Sequence, residues 1–225
     1  MALQPNPKRP FDVDSVFDLV REAVAPFPPA AMFQLADEGY DSTFEQLVAC
    51  IISIRTLDEV SLVVARHLFA VARQATELAA LPVQEIGRLI AESTFAESKA
   101  ASIHALARRA FEEFGGVLPC DAALFQSFNG VGPKCANLAA GVACGQSKIS
   151  VDVHVHRIAN RWGLVASATP EGTMAALEKV LPPKYWIEIN RLLVPFGKHV
   201  CQAVPRCSTC PVVEYCRQVG VAKHR

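Results

Sequence analysis

Four cysteines near the C-terminal end of the sequence are spaced as metal ligands often are. They span sixteen residues, with five, two and five residues between successive members: Cys201, Cys207, Cys210 and Cys216. Four thiolates without a histidine suit either a [4Fe-4S] cluster or structural zinc. A disulfide is less plausible in a chain expected to be intracellular. Zinc sites more often combine two Cys-x2-Cys pairs, and only one such pair is present, so the spacing favours iron–sulfur over zinc.

The remaining four cysteines are scattered along the chain: Cys50, Cys120, Cys135 and Cys144. All but Cys120 sit in apolar segments with helical periodicity. A free thiol in such a place usually behaves as a small buried hydrophobic group. We therefore assign these cysteines no chemistry.

A lysine follows a glycine-containing turn between two predicted helices. The turn is Asn129-Gly130-Val131-Gly132, and Pro133 suits the first position of the second helix. Two glycines let the main chain approach a phosphate closely, although a plain helix–helix turn has the same pattern. Lys134 falls in the first helical turn, where the positive end of the helix dipole favours the neutral amine. A neutral amine can form a Schiff base, and a phosphate contact is the alternative.

An aspartate precedes the next predicted helix, which Gly163 ends. Asp152 lies at the position of a helix cap, and capping is its ordinary interpretation. A capping carboxylate is also held ionised by main-chain N–H groups. Such a carboxylate can stabilise a cationic transition state, so both roles are compatible.

Helical periodicity dominates the sequence and predicts an all-α fold. Capping boxes are predicted at Ser42 with Glu45 and at Thr56 with Glu59. The predicted helices lie near residues 11–26, 42–54, 58–72, 82–92, 97–114, 121–128, 133–144, 153–162, 171–180 and 184–195.

Charge is unevenly distributed although the net charge is zero. Residues 148–225 contain 11 Lys or Arg and 5 Asp or Glu, so the C-terminal third is the expected phosphate-facing part. A solvated basic tail is the alternative. There is neither an apolar segment of the ~20 residues that a membrane span requires nor a secretory signal. We expect a cytoplasmic, nucleoid-associated protein of a prokaryote without membrane partners.

From about residue 40 to 217, these motifs resemble the endonuclease III family of helix-hairpin-helix DNA glycosylases. Gly130-Val131-Gly132-Pro133-Lys134 looks like the family hairpin with its catalytic lysine. Val151-Asp152-Val153-His154 looks like the segment with its catalytic aspartate, and the four cysteines look like its cluster ligands. Ser53-Ile54-Arg55-Thr56-Leu57-Asp58 resembles the family stretch whose third residue, here Arg55, enters the gap left by a flipped base. Phe95 falls where the family pattern places an apolar wedge.

The resemblance implies two α-helical domains with a DNA-binding cleft between them. Residues 38–149 would form a six-helix barrel that contains the helix-hairpin-helix motif. Residues 1–37 and 150–225 would form a second domain with the [4Fe-4S] cluster. The implied DNA-contact residues are Gly130, Val131, Gly132, Arg55, Phe95, His154 and Arg206.

The resemblance also implies an activity in base excision repair. The enzyme would be a monomer acting on double-stranded DNA with damaged bases or abasic sites. It would flip an oxidised pyrimidine out of the duplex, excise it and nick the strand by β-elimination. Lys134 would attack the sugar C1′, and Asp152 would stabilise positive charge or assist proton transfer.

Four departures from the family pattern accompany this resemblance. Phe128-Asn129 replaces the usual Leu-Pro before the hairpin glycine, Pro133 occupies a position that is often basic, and Arg55 replaces a common glutamine. The first cysteine spacing is also one residue shorter than usual.

Three other functions are compatible with parts of the sequence. A monofunctional adenine glycosylase shares the superfamily but lacks the hairpin lysine. A non-catalytic helix-hairpin-helix module would bind DNA without needing Lys134 and Asp152 together. A zinc-stabilised regulator would be colourless, whereas an iron–sulfur protein absorbs visible light.

Overall fold

The computed structural model describes residues 8–225, and every regular element in that range is helical, which confirms the all-α prediction. The α-helices are α1 (Val13–Val24), α2 (Ala31–Asp37), α3 (Thr43–Ser53), α4 (Asp58–Val71), α5 (Ala75–Ala80), α6 (Val83–Leu89), α7 (Ala96–Phe114), α8 (Ala122–Gln126), α9 (Pro133–Cys144), α10 (Val153–Trp162), α11 (Pro170–Val180) and α12 (Glu188–His199). Short 3₁₀ turns lie at Pro183–Tyr185 and Cys207–Thr209.

The described residues divide into two compact units. The hairpin unit is Ala30–Ser150. The cysteine-loop unit is Val151–Arg225 together with residues 8–29. Relative to the bounds expected from sequence, residues 30–37 fall in the hairpin unit, because Gln46 in α3 donates a side-chain hydrogen bond to the Met32 carbonyl of α2 (3.2 Å). The first seven residues of the expected second domain lie outside the described residues.

The core of the hairpin unit surrounds α3. This helix begins with the predicted capping box, in which Ser42 and Glu45 bond each other's main-chain N–H groups. Apolar residues lie on all its sides and are buried, which makes α3 a central helix: Phe44, Leu47, Val48, Ile51 and Ile52. Helices α4, α7 and α9 pack around it. The helix that carries Lys134 therefore rests directly on the core.

The core of the cysteine-loop unit lies between α1, α10 and α12. Trp162 in α10 is buried with Phe196 in α12, and Phe17 in α1 packs against Tyr185 with ring centroids 4.4 Å apart and ring planes tilted by 46°. Asp14 accepts hydrogen bonds from Tyr185 and, at 2.6 Å, from Lys184. These contacts join the N-terminal helix to the C-terminal part of the unit.

Sequence periodicity missed two helices and misplaced a third. The α2 and α5 segments have seven and six residues, too few to establish a helical period. The helix predicted at 184–195 is wrong in its bounds. Pro182 and Pro183 favour a 3₁₀ turn before it, and the helix continues through Pro195 to His199.

A search of the described helices finds none that is both long and apolar enough to span a membrane.

Candidate functional site

The predicted hairpin is formed by α8, the turn at 127–132 and α9. Gly130 has φ +84°, a conformation that side-chain-bearing residues rarely adopt. The Val131 side chain is buried in the core, and Asn129 donates to the Ser102 hydroxyl of α7 at 3.3 Å. These two contacts anchor the turn to the core and to α7. Contacts to DNA at Val131 would have to come from its main chain.

Lys134 lies in the first turn of α9 and is exposed. Pro133 occupies the first helical position, as predicted. Gly132 is the N-cap residue and has no side chain to satisfy the amides of the first turn. The Ser150 hydroxyl donates to the Lys134 carbonyl at 3.1 Å, and Asn137 donates to the Ile149 carbonyl at 2.8 Å. The main chain around Lys134 is therefore fixed while its amine faces solvent.

Two disulfides cross-link α9, which the sequence interpretation did not anticipate. Cys50 in α3 is bonded to Cys135, the residue after Lys134, with Cα atoms 5.8 Å apart. Cys120, just before α8, is bonded to Cys144 at the end of α9, with a Cα separation of 6.0 Å. The expectation of free buried thiols at these positions is wrong, because the fold brings together cysteines 85 and 24 residues apart in sequence.

Arg55 and Phe95 lie on two neighbouring loops of the hairpin unit. We name residues 54–57 the arginine loop and residues 90–95 the phenylalanine loop. The Arg55 guanidinium carbon is 5.9 Å from the centroid of the Phe95 ring. Both side chains are exposed, and both residues have positive φ, at 55° and 60°. The structure thus brings these two predicted DNA-contact residues together.

Asp152 is the N-cap residue of α10, as predicted. Its Oδ1 accepts hydrogen bonds from the main-chain N–H groups of His154 (2.9 Å) and Val155 (2.8 Å). The side chain is half-buried. These two hydrogen bonds fix the orientation of the carboxylate at the start of the helix. The helix ends at Trp162, where Gly163 adopts φ +72°.

His154 is half-buried against α12. Its Nδ1 is 3.1 Å from an Arg157 guanidinium nitrogen. A side chain at Gly197 would place its Cβ 2.5 Å from the same His154 nitrogen. Contacts within the cysteine-loop unit therefore fix the orientation of the His154 ring, which is a predicted DNA contact.

The four C-terminal cysteines line one cavity of the cysteine-loop unit. None of them forms a disulfide. Cys201 is buried, and the other three are half-buried. Within residues 8–225, no group of three or more Cys, His, Asp or Glu side chains is arranged to hold a metal ion. Arg206, the predicted DNA contact, is an exposed residue of the same loop.

Donor groups surround these sulfurs. An Arg161 guanidinium nitrogen lies 3.4 Å from the Cys201 sulfur, and the Gln218 main-chain N–H donates to the Cys216 sulfur at 3.3 Å. Arg161 also donates to the carbonyls of Gln202 (2.6 Å) and Ala203 (2.9 Å). Arg161 of α10 therefore holds the start of the cysteine loop, residues 201–216. The Arg161 and Gln218 N–H groups point at sulfur, as donors do around thiolate ligands.

Burial and mutual repulsion destabilise the ionised form of the cysteine thiols in this cavity. It raises the pKa of Cys210 to about 12, and the neighbouring cysteines add to the effect. The pKa of Cys216 is raised for the same reasons. A bound cation reverses this balance, because metal ions deprotonate coordinating thiols. The type of donor, four thiols lining one cavity, fits a thiolate-ligated metal group, although these side chains, all within the described residues, are not arranged around a metal position.

The match to a family model decides which group of proteins this fold and site belong to. The model described as the HhH-GPD superfamily base excision DNA repair protein matches residues 48–183, more than half of the chain. The chain belongs to the HhH-GPD superfamily. Its helix-hairpin-helix architecture is thereby confirmed, and the relatives below confirm its resemblance to the endonuclease III family.

Members of the superfamily cover nearly the whole chain. Endonuclease III of Thermotoga maritima is 35% identical over 200 residues, which are 88% of this chain and 91% of the relative. Endonuclease III of Bacillus subtilis is 31% identical, covering 80% of this chain and 83% of its own length. A trapped endonuclease III–DNA covalent intermediate has a TM-score of 0.79 and 26% identity, covering 92% of this chain and 94% of that one. Like these relatives, this HhH-GPD protein is a base excision repair DNA glycosylase.

The predicted site residues are divided between the two units. Lys134, the hairpin glycines, Arg55 and Phe95 belong to the hairpin unit. Asp152, His154, Arg206 and the four cysteines belong to the cysteine-loop unit. Sequence reasoning missed Lys99, a buried lysine that lies between the arginine and phenylalanine loops. Its position in a mostly polar helical turn gave no signal of burial.

Proposed function

We propose that this HhH-GPD glycosylase is bifunctional, excising oxidised pyrimidines and nicking the strand through a Schiff base on Lys134. The observation that carries the proposal is the exposed Lys134 amine on a helix fixed by two disulfides and by Ser150. A solved relative with the same fold has been captured as a covalent intermediate with DNA, which supports covalent chemistry in this family.

In the proposed reaction, the Lys134 amine first acts as the nucleophile and then, as a Schiff base, allows β-elimination. The lone pair of Lys134 Nζ forms a bond to C1′ while the C1′–N bond breaks and its electrons leave with the base, which takes up a proton. Opening of the sugar ring gives a protonated Schiff base, and the ring oxygen becomes a hydroxyl. Loss of a proton from C2′ expels the 3′ phosphate and nicks the strand. Water then hydrolyses the imine and frees the lysine.

Asp152 is proposed to act on the charge that develops during base departure. Its Oδ1 accepts hydrogen bonds from two main-chain N–H groups, which fix the orientation of the carboxylate. A fixed carboxylate stabilises an oxocarbenium-like centre without reorganising. It can also accept the proton that Lys134 loses on forming the bond to C1′.

Contacts to double-stranded DNA are proposed for both units. The uncapped amides at the start of α9 suit a backbone phosphate, as do the hairpin residues Gly130 and Gly132. Arg55 and Phe95 are exposed side chains suited to the gap left by a flipped base. His154 and Arg206 are proposed phosphate contacts of the other unit. We expect the protein to act as a monomer.

The four C-terminal cysteines are proposed to hold a [4Fe-4S] cluster. Cys201, Cys207, Cys210 and Cys216 would be its ligands. Bound there, the cluster would cross-link the loop and supply a one-electron redox group. Arg161 and the Gln218 main-chain N–H would hydrogen-bond to its thiolates. These donors suit an iron–sulfur cluster and do not exclude zinc.

Separate assays of base release and strand nicking test the proposal. The substrate is a duplex with one thymine glycol, and the variants are Lys134→Gln and, as the matched control, Lys148→Gln, an exposed lysine of the same unit. We expect Lys134→Gln to lower the nicking rate at least about a hundredfold and Lys148→Gln to leave it unchanged.

The other outcomes identify the rival functions. Base release without nicking by the wild type would indicate a monofunctional glycosylase. Binding of an abasic duplex with neither activity would indicate a non-catalytic module. Undiminished nicking by Lys134→Gln would overturn the assignment of the nucleophile.

A further inference from the structure

A buried lysine joins the arginine and phenylalanine loops. Lys99 lies in the first turns of α7 and is 4% exposed. Its Nζ donates to the Ile52 carbonyl at 2.6 Å and to the Thr56 hydroxyl at 2.9 Å. Both acceptors are neutral oxygens, and burial lowers the pKa of Lys99 to about 8. A buried cation without a carboxylate partner is costly, so a hydrophobic residue would be the simpler choice for stability alone.

Thr56 connects this lysine to the second loop. Its hydroxyl also accepts a hydrogen bond from the Thr94 main-chain N–H at 3.1 Å. The predicted capping box at this residue is wrong, because α4 begins at Asp58 after Leu57 and receives no side-chain cap. The Thr56 hydroxyl is engaged between the loops instead.

Main-chain strain is concentrated where the two loops meet. Among the described residues, the non-glycine residues with positive φ are Arg55, Phe95 and Gln218. Two of the three therefore lie one residue away from the hydrogen bond between Thr56 and Thr94. A positive φ costs of order 1–3 kcal/mol and persists only where neighbouring contacts enforce it.

The strained residues present an exposed apolar and cationic surface. Leu57 is 72% exposed and Phe95 is 58% exposed, with the Arg55 guanidinium beside the Phe95 ring. Apolar side chains of this size wedge between base pairs, and arginine stacks on bases. The surface therefore fits a DNA base stack with one nucleotide displaced.

We propose that the two loops act as one probe of the base stack, presenting Arg55, Leu57 and Phe95, and that Lys99 is the positioning residue that holds them together. This inference rests on the proposed function, which brings damaged DNA to these loops. It adds Leu57 as a DNA contact and assigns the Lys99–Thr56 pair to lesion capture. Lys99 takes no part in the chemical steps.

If Lys99 had a purely structural role, a different experimental result would be expected. Lys99 also bonds a carbonyl in the last turn of α3, where a cation stabilises a helix end. If that were its only role, its removal would lower stability without changing how DNA is captured. The test therefore has to separate capture from chemistry at equal stability.

The experiment compares Thr56→Val and Lys99→Met with Thr43→Val. Thr43 lies at the other end of α3 and loses a similar hydrogen bond, from its hydroxyl to the Leu118 carbonyl at 2.9 Å. Steady-state excision is measured on a thymine glycol duplex, together with the fluorescence of a 2-aminopurine next to the lesion. That fluorescence rises when the stack opens.

We expect Thr56→Val and Lys99→Met to raise KM about tenfold and to reduce the fluorescence change, with kcat within about twofold of the wild type. Thr43→Val should match the wild type in both. Lys99→Arg, which keeps a donor, should recover part of the loss. Leu57→Ser should raise KM in the same way.

Failure of the inference differs from failure of the proposed function. If the wild type is active and Thr56→Val has the KM and fluorescence of Thr43→Val, the inference is overturned while the function stands. A wild type without excision or nicking activity would overturn the proposed function first.

Discussion

The eight cysteines of the chain serve opposite purposes in its two units. In the hairpin unit, four cysteines form two disulfides, and each disulfide ties α9 to another segment. In the cysteine-loop unit, the other four remain thiols around one cavity, with N–H donors directed at their sulfurs. Pairing fixes the helix that bears Lys134, whereas clustering brings together the four thiols proposed to hold the [4Fe-4S] cluster. The surroundings of each cysteine, and not the residue type, decide which result is obtained.

Loss of one cavity cysteine is the strongest way to test this contrast. We expect Cys216→Ser to lower the iron and acid-labile sulfide content to near zero and to abolish visible absorbance. The reason is that four thiolates are needed to complete the ligand set. Cys120→Ser, which breaks a disulfide in the other unit, should retain the iron content. Stoichiometric zinc in the purified wild type, or equal loss of iron in both variants, would contradict this difference between the cysteines of the two units.

The two disulfides should differ in their contribution to stability. Chain entropy gives about 4 to 5 kcal/mol for the link between Cys50 and Cys135, which are 85 residues apart. It gives about 3 to 4 kcal/mol for Cys120 and Cys144, which are 24 residues apart. Urea unfolding of the two double alanine variants measures both values. Unchanged midpoints would show that the cysteines are not bonded in solution.

Each unit also uses a cation to hold a loop, buried Lys99 in one and half-buried Arg161 in the other, and the arginine should be the harder one to replace. Arg161 donates from two nitrogens to three residues of the cysteine loop. Lysine cannot reproduce that fork. We expect Arg161→Lys to lower the free energy of unfolding by about 2 kcal/mol and to speed loss of iron to a chelator. Iron loss at the wild-type rate would show that the fork is dispensable.

The smallest expected effect concerns Lys99 and pH. Its pKa of about 8 in the folded chain lies below the ordinary lysine value of 10.5. Between these values the unfolded chain binds more protons, so the free energy of unfolding should rise as pH increases from 8 to 10.5. The hydrogen bonds to Ile52 and Thr56 favour the ammonium and limit the rise. Denaturant titrations across this range should show a flatter profile for Lys99→Met than for the wild type.

Local signals predicted the parts of the site that lie in single segments. Pro133 marked the start of α9, Asp152 the start of α10, and Gly163 its end, because caps and turn residues act on their immediate neighbours. The same reasoning failed for Thr56, whose partners Lys99 and Thr94 lie about 40 residues away. A capping pattern indicates where a hydroxyl can bond but not which acceptor or donor the fold will supply.

Long-range pairings were beyond the reach of the sequence. Cys50 and Cys135 are separated by five intervening helices of the hairpin unit, and helical periodicity identifies their buried faces without matching them. The contacts of Lys99 are similarly set by Ile52 at the end of α3 and by Thr56, which only the folded unit brings to α7. The local structure of single motifs was predictable, and positioning between motifs was not.

Covalent trapping tests the central claim, that Lys134 is the nucleophile, most directly. The wild-type protein is incubated with an abasic duplex and borohydride, and the adduct is digested and mapped by mass spectrometry. The account predicts one modified peptide, with the reduced sugar on Lys134, and no adduct with Lys134→Gln. An adduct on any other amine, or an undiminished adduct with Lys134→Gln, would contradict it.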